Sequence, residues 1–210
     1  MTPKTLIIAE AGVNHNGDVG MALDLVDRAA EAGADLVKFQ SFNAAKLASA
    51  AAPKAAYQTR QTDAGESQLE MLQRLQLAPE AHERIIARCA ERGIGFLSTP
   101  FDTGSLDLLT GRFGLTRIKL GSGELTNAPL LLATARSGAG IILSTGMGTL
   151  SEVEEALGVL AFGLMRGEDP QGRADFAAAL HDPRAWETLR ERVTLLHCTT
   201  EYPAAVADTN

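Results

Sequence analysis

The sequence predicts an α/β protein built on parallel strands, a (β/α)₈ TIM barrel of which the chain holds about six βα units. Three observations predict it. Short, near-continuously apolar runs recur, as strands covered on both faces require. Amphipathic segments alternate with them, which implies right-handed βαβ units. Polar residues close every run: Glu10; Lys38 and Gln40; Thr99; Lys119, Ser122 and Glu124; Ser144; Thr199 and Thr200. A barrel gathers such residues at its top face, whereas an open sheet concentrates them at one crevice. No G-x-G-x-x-G follows the first run, where a dinucleotide-binding sheet would carry it.

Strands are expected at Thr5–Gly12, Leu36–Phe42, Gly95–Phe101, Thr116–Glu124, Gly140–Met147 and Val193–Thr200. Between the first two, Val19, Ala22, Leu23, Val26, Ala29 and Ala30 follow helical spacing until Gly33 stops the helix. Pro79–Arg92 opens on proline, ends before Gly93 and lines up Ile85, Ile86, Cys89 and Ala90. Thr149 and Glu152 form a capping-box pattern ahead of Val153–Leu164. Asp182-Pro183 reads as a cap and first-turn proline for Arg184–Arg192. Two connections are long. Ala44–Leu77 has the length of a functional lid or a locally folded excursion, and Arg166–Asp182 reads as a surface insertion.

Composition narrows the class. The chain has 210 residues, 19 basic against 26 acidic side chains and 45% hydrophobic residues. Disorder and fibrous folds are excluded, and the acidic balance argues against nucleic-acid binding. No apolar run approaches the roughly 20 residues of a membrane span. The N-terminus shows no signal-peptide pattern, and Cys89 and Cys198 stand apart with no C-x-x-C spacing. A reducing, cytoplasmic location is the expectation.

The chemistry-bearing residues point to an anion. Lys38 and Gln40 share one strand face, and a lysine in Leu-Val-Lys-Phe-Gln needs an anionic partner. Lys119 repeats the pattern, and two such lysines suit a doubly charged anion such as a phosphate. The glycines around Lys119 and Ser122, and the turn Ser144–Thr149 running into a helix start, offer backbone N–H groups. Glu10 and Glu124 are candidates for proton transfer, with an ion pair to Lys38 or Lys119 as the plainer reading. Asn14-His15-Asn16-Gly17 reads as a turn with positive φ at Asn16-Gly17. His197 is expected in the core, His82 and His181 in solvent. No pair of histidines has metal-ligand spacing.

Six strings are specific enough to carry a resemblance: Ile8–Gly17, Val37–Gln40, Leu97–Phe101, Lys119–Glu124, Leu143–Met147 and Leu196–Pro203. In order and at strand ends, they resemble the N-acetylneuraminate (sialic acid) synthase family. The resemblance implies a (β/α)₈ barrel that condenses phosphoenolpyruvate with an N-acetylated amino sugar such as N-acetylmannosamine, giving a nine-carbon 2-keto acid and phosphate. It implies a divalent metal, Mn²⁺ or Mg²⁺, that activates the open-chain aldehyde. Lys38, Thr99, Lys119, Ser122 and Ser144 match phosphoenolpyruvate-binding positions. Gln40, Glu124 and Tyr202 match amino-sugar contacts, and Glu10 matches a central carboxylate. Glu10 and Glu124 are thus the catalytic candidates.

Two departures follow from the same resemblance. Thr200 stands where some relatives place an asparagine that contacts phosphoenolpyruvate. The family's metal-binding histidines and its C-terminal antifreeze-like domain are expected beyond residue 210, so residues 1–210 read as an incomplete barrel domain without metal ligands. The fragment alone is then expected to be inactive, and the full-length protein to be a homodimer. Alternatives within the chemistry are a legionaminic, pseudaminic or spore-coat sugar synthase. A heptulosonate-type synthase would need further basic residues for an acceptor phosphate. A non-catalytic anion- or sugar-binding barrel fragment is the reading from another class.

Overall fold

The computed structural model describes residues 4–48, 67–200 and 204–208. The chain divides into two compact units, Met1–Leu108 and Leu109–Asn210. Each is an α/β layer arrangement around its own three-stranded parallel sheet.

In the first unit, β1 (Ile8–Gly12), β2 (Leu36–Ser41) and β3 (Gly95–Pro100) pair in that order. The register sets Glu10 beside Lys38 and Gln40 beside Thr99, so the polar ends of neighbouring strands lie level. Helix α1 (Val19–Glu31) starts where the Asp18 carboxylate accepts from the Met21 N–H, and it buries Ala22, Val26 and Ala29. Two shorter helices follow, α2 (Ala44–Leu47) and α3 (Gln68–Leu75), the latter opened by a Ser67–Glu70 capping box. Helix α4 (Pro79–Arg92) stops at Gly93, whose φ of +67 closes the last turn. Val26, Val37, Phe39, Ile85 and Cys89 form the core between sheet and helices. Each large apolar side chain buried there contributes about 1.5–3 kcal/mol. Burial also pushes the Cys89 thiol up to about 12, so it stays neutral and inert. A short helix, α5 (Thr103–Asp107), follows β3.

The second unit repeats the scheme with β4 (Arg117–Leu120), β5 (Gly140–Ser144) and β6 (Val193–Leu196). Helix α6 (Ala128–Arg136) joins the first two strands. Helix α7 (Leu150–Met165) opens on the Thr149–Glu152 capping box and buries an unbroken run from Ala156 to Gly163. A helix covered so widely is apolar on most of its circumference. Helices α8 (Arg173–Leu180) and α9 (Ala185–Arg192) complete the unit.

The alternation expected from the sequence is present, and the boundaries differ in one direction. Every strand is shorter than its apolar run, because pairing stops where the neighbour ends, at Leu120 beside Leu143 and at Ser144 beside Leu196. The tail of the fourth run, Ser122–Glu124, is a single 3₁₀ turn. Both long connections hold helices, α2 and α3 in one and α8 in the other. Among the described residues no helix is long and apolar enough to cross a membrane.

Two histidines correct the sequence reading. His197 lies past the end of β6 and is exposed, while His82 is buried at 1% exposure in α4. A carbonyl only accepts, so His82 Nδ1 must donate to the Ala78 carbonyl at 3.0 Å. Its Nε2 then accepts from the Ser41 hydroxyl (2.8 Å), which accepts in turn from Ser98 (2.7 Å). This buried chain ties the start of α4 to β2 and β3 directly behind Gln40 and Thr99. His15 is also fully buried, inside the expected turn, where Asn16 and Gly17 have φ of +52 and +82. Its Nδ1 accepts from the Gly17 N–H at 3.0 Å, and its ring lies 6.1 Å from Phe39.

Burial holds both imidazoles below their usual value of 6.5, helped at His15 by the charge of His82 and opposed at His82 by the Ala78 hydrogen bond. The unfolded chain therefore takes up protons before the folded one, and stability falls as pH drops below 6.5. Carboxylates held low by arginine, such as Asp182 at about 2, lose their contribution only below 3.8. The urea midpoint should accordingly fall between pH 7.5 and pH 5.5, and His82→Leu should flatten that fall.

Candidate active site

In the first unit the polar residues gather at the C-terminal ends of β1, β2 and β3. The Lys38 side chain is 10% exposed, and its ammonium meets both oxygens of Glu10, at 2.8 Å and 2.6 Å. Burial of that charge is tolerable because a full opposite charge sits against it. Gln40 is half-buried and Thr99 buried, each at the end of its strand. A register shift between Glu10 and Gly12 and a φ of +54 at Gly12 turn the chain away from β2 there. A Cβ on Gly12 would stand 3.2 Å from Glu10 Oε1 and 3.8 Å from Gln40 Nε2, so glycine keeps this corner open.

The loops after β2 and β3 are stapled by a residue the sequence reading passed over. Asp102 accepts from the Ser105 N–H and hydroxyl, the Asn43 N–H and the Lys46 ammonium. Burial pushes its carboxyl up, and these hydrogen bonds outweigh burial, leaving it below the usual carboxylate range. The Asp-x-x-Ser pattern at Asp102 and Ser105 was the available signal, an N-cap ahead of α5.

In the second unit Lys119 is 8% exposed at the end of β4. Its ammonium donates to the Ser144 hydroxyl at 2.5 Å and to the Leu120 carbonyl at 2.9 Å, so the ends of β4 and β5 are joined through a cation. Ser122 is half-buried in the following 3₁₀ turn. In the same turn the Glu124 carboxylate accepts from Asn127 Nδ2 at 2.7 Å, rather than from a lysine as the plainer reading expected. Tyr202 lies outside the described residues.

A cavity of about 970 Å³ opens beside the turn from β5 to α7, lined among others by Thr145, Gly146, Thr149, Cys198 and Thr199. Its walls are tied together. Thr145 donates to the Leu196 carbonyl, and Thr200 donates to the Gly146 carbonyl, each at 2.9 Å. The Thr200 hydroxyl is therefore engaged in holding the turn. Thr149, Leu150 and Val153 bring the start of α7 to this cavity, with the Thr149 and Glu152 N–H groups engaged in the capping box. Among the described residues, no group of three or more His, Cys, Asp or Glu is placed to hold a metal ion.

The Gly146 position admits no side chain. A Cβ there would stand 2.7 Å from the Thr199 carbonyl oxygen and 2.9 Å from that of Cys198. Both obstacles are backbone, so Gly146→Ala must displace the chain after β6. Urea unfolding should show a loss of about 1–3 kcal/mol, the usual cost of overpacking.

Comparison with known proteins places the chain in a family. The N,N'-diacetyllegionaminic acid synthase of Campylobacter jejuni is 47% identical over 99% of this chain and 55% of its own length. That of Legionella pneumophila is 40% identical over 97% of this chain and 51% of its own. The chain thus spans about half the length of the curated relatives it matches. The crystal structure of N-acetylneuraminic acid (sialic acid) synthetase from Leptospira borgpetersenii superimposes with a TM-score of 0.72 at 28% identity, covering 99% of this chain and 59% of that one. The NeuB family model matches residues 25–210, and with six strand-end strings, the buried strand-end lysines and these relatives in agreement, the chain belongs to the NeuB family of sialic acid synthases.

Proposed function

We propose that the six strands are βα units of a (β/α)₈ barrel that condenses phosphoenolpyruvate with an N-acetylated amino sugar. The methylene carbon of phosphoenolpyruvate attacks the aldehyde carbon of the open-chain sugar, and water adds at C2. Phosphate then leaves by C–O cleavage, giving a nine-carbon 2-keto sugar acid. Lys38, Thr99, Lys119, Ser122 and Ser144 hold phosphoenolpyruvate. Gln40 and Tyr202 contact the sugar. Glu10 and Glu124 are the carboxylates placed to orient water or carry a proton.

The observation that carries this reading is the buried Lys119 ammonium with Ser144 on it at 2.5 Å, beside a turn that feeds a helix N-terminus. A nearly buried cation with a hydroxyl on it is suited to a phosphate or carboxylate group. The resemblance adds a divalent metal. The described residues of this chain do not assemble a site for one, and the roles assigned here are anion binding and proton handling.

A second reading changes only the acceptor, to the diacetamido-trideoxy hexose of legionaminic acid synthesis. The 47% and 40% identities to two diacetyllegionaminic acid synthases favour it specifically. Condensation assays on the full-length protein with N-acetylmannosamine and with the diacetamido sugar, side by side, separate the two.

Calorimetric titration of phosphoenolpyruvate into the wild-type chain and Lys119→Ala tests the shared part. Losing a charge-assisted contact of about 1.5–3 kcal/mol should weaken binding by about tenfold or more. Unchanged affinity in Lys119→Ala would remove Lys119 from the site.

A further inference from the structure

The geometry of the Glu10–Lys38 pair points to a further property of the site, one that rests on the phosphoenolpyruvate reading above. Lys38 is fixed. Its stem is packed in β2 between β1 and β3, with Leu97 level with it on the β3 side. Glu10 is the mobile partner, for its side chain is 57% exposed and ends in solvent. Its backbone is held by pairing with Lys38 on one side and by the Gly12 turn on the other, so motion is confined to the side chain. Both Glu10 oxygens lie within 3 Å of the ammonium, which is itself on a side chain only 10% exposed.

An incoming anion meets that arrangement with like charge. Phosphoenolpyruvate brings a phosphate and a carboxylate, and placing either on Lys38 beside an ionised Glu10 sets two negative groups against one cation. We propose that Glu10 is a displaceable counter-ion. Phosphoenolpyruvate takes over Lys38, and the Glu10 carboxylate, now against Gly12 and 57% exposed, swings out toward solvent. The ion pair thereby holds the lysine charge satisfied until substrate arrives, and substrate binding itself frees a carboxylate beside the sugar-contacting Gln40. The order of events is built in, with the anion first and the free carboxylate second.

The signature is a change of sign between two neighbours. An exposed-side ion pair competes weakly, so Glu10→Gln should tighten phosphoenolpyruvate binding by about threefold in calorimetry. Lys38→Met should weaken it by about tenfold or more. Weaker or equal binding in Glu10→Gln, with Lys38→Met impaired, overturns the counter-ion role and leaves the phosphoenolpyruvate reading standing. Undiminished binding in Lys38→Met overturns both. Carboxyl ¹³C NMR of Glu10 in the unmutated chain supplies a measurement independent of any variant's folding. Saturating phosphoenolpyruvate at neutral pH should move the Glu10 carboxyl resonance, because its ammonium partner is withdrawn. A resonance that stays in place at saturation overturns the proposal.

Discussion

An ammonium group cannot be buried at the end of a parallel strand without an acceptor against it, and both sheets of this protein are arranged around that requirement. Lys38 and Lys119 are each 8% exposed. Each is satisfied from the neighbouring strand, Lys38 by Glu10 on β1 and Lys119 by Ser144 on β5. Those contacts need the strands in one register, because a slip of one residue would turn the partner to the opposite face. The same contacts therefore fix the register and set positive charge at the strand ends where an anion can use it.

The two solutions differ in chemistry. Lys38 is matched by a full charge whose carboxylate reaches solvent. Lys119 donates to a hydroxyl and a carbonyl, Ser144 on the neighbouring strand and Leu120 on its own. Around the two lysines polar contacts add to the apolar core: Asp102 between two loops, His82–Ser41–Ser98 behind β2 and β3, and Thr145 and Thr200 across the turn after β5. Such networks stabilise only when complete, which makes the strand ends rigid and sensitive to single substitutions.

Membership of the NeuB family places these features in a group whose named relatives make related sugar acids. The fold is shared with the sialic acid synthetase structure at a level that extends over nearly the whole chain.

Much of this was legible in the sequence. Apolar runs gave six strands in the right places, and Thr149 and Gly93 marked helix ends because capping is a local interaction. Strand-end identities such as Lys38, Lys119 and Ser144 were likewise readable, for position along a strand is set by the pattern itself. What no local pattern held was who meets whom. That Glu10 takes Lys38 while Glu124 turns to Asn127, that His82 is buried and His197 exposed, and that Asp102 holds two loops were decided by tertiary structure. Those outcomes depend on register and on the neighbour available across the sheet, which residues tens of positions apart in the chain supply only once it has folded.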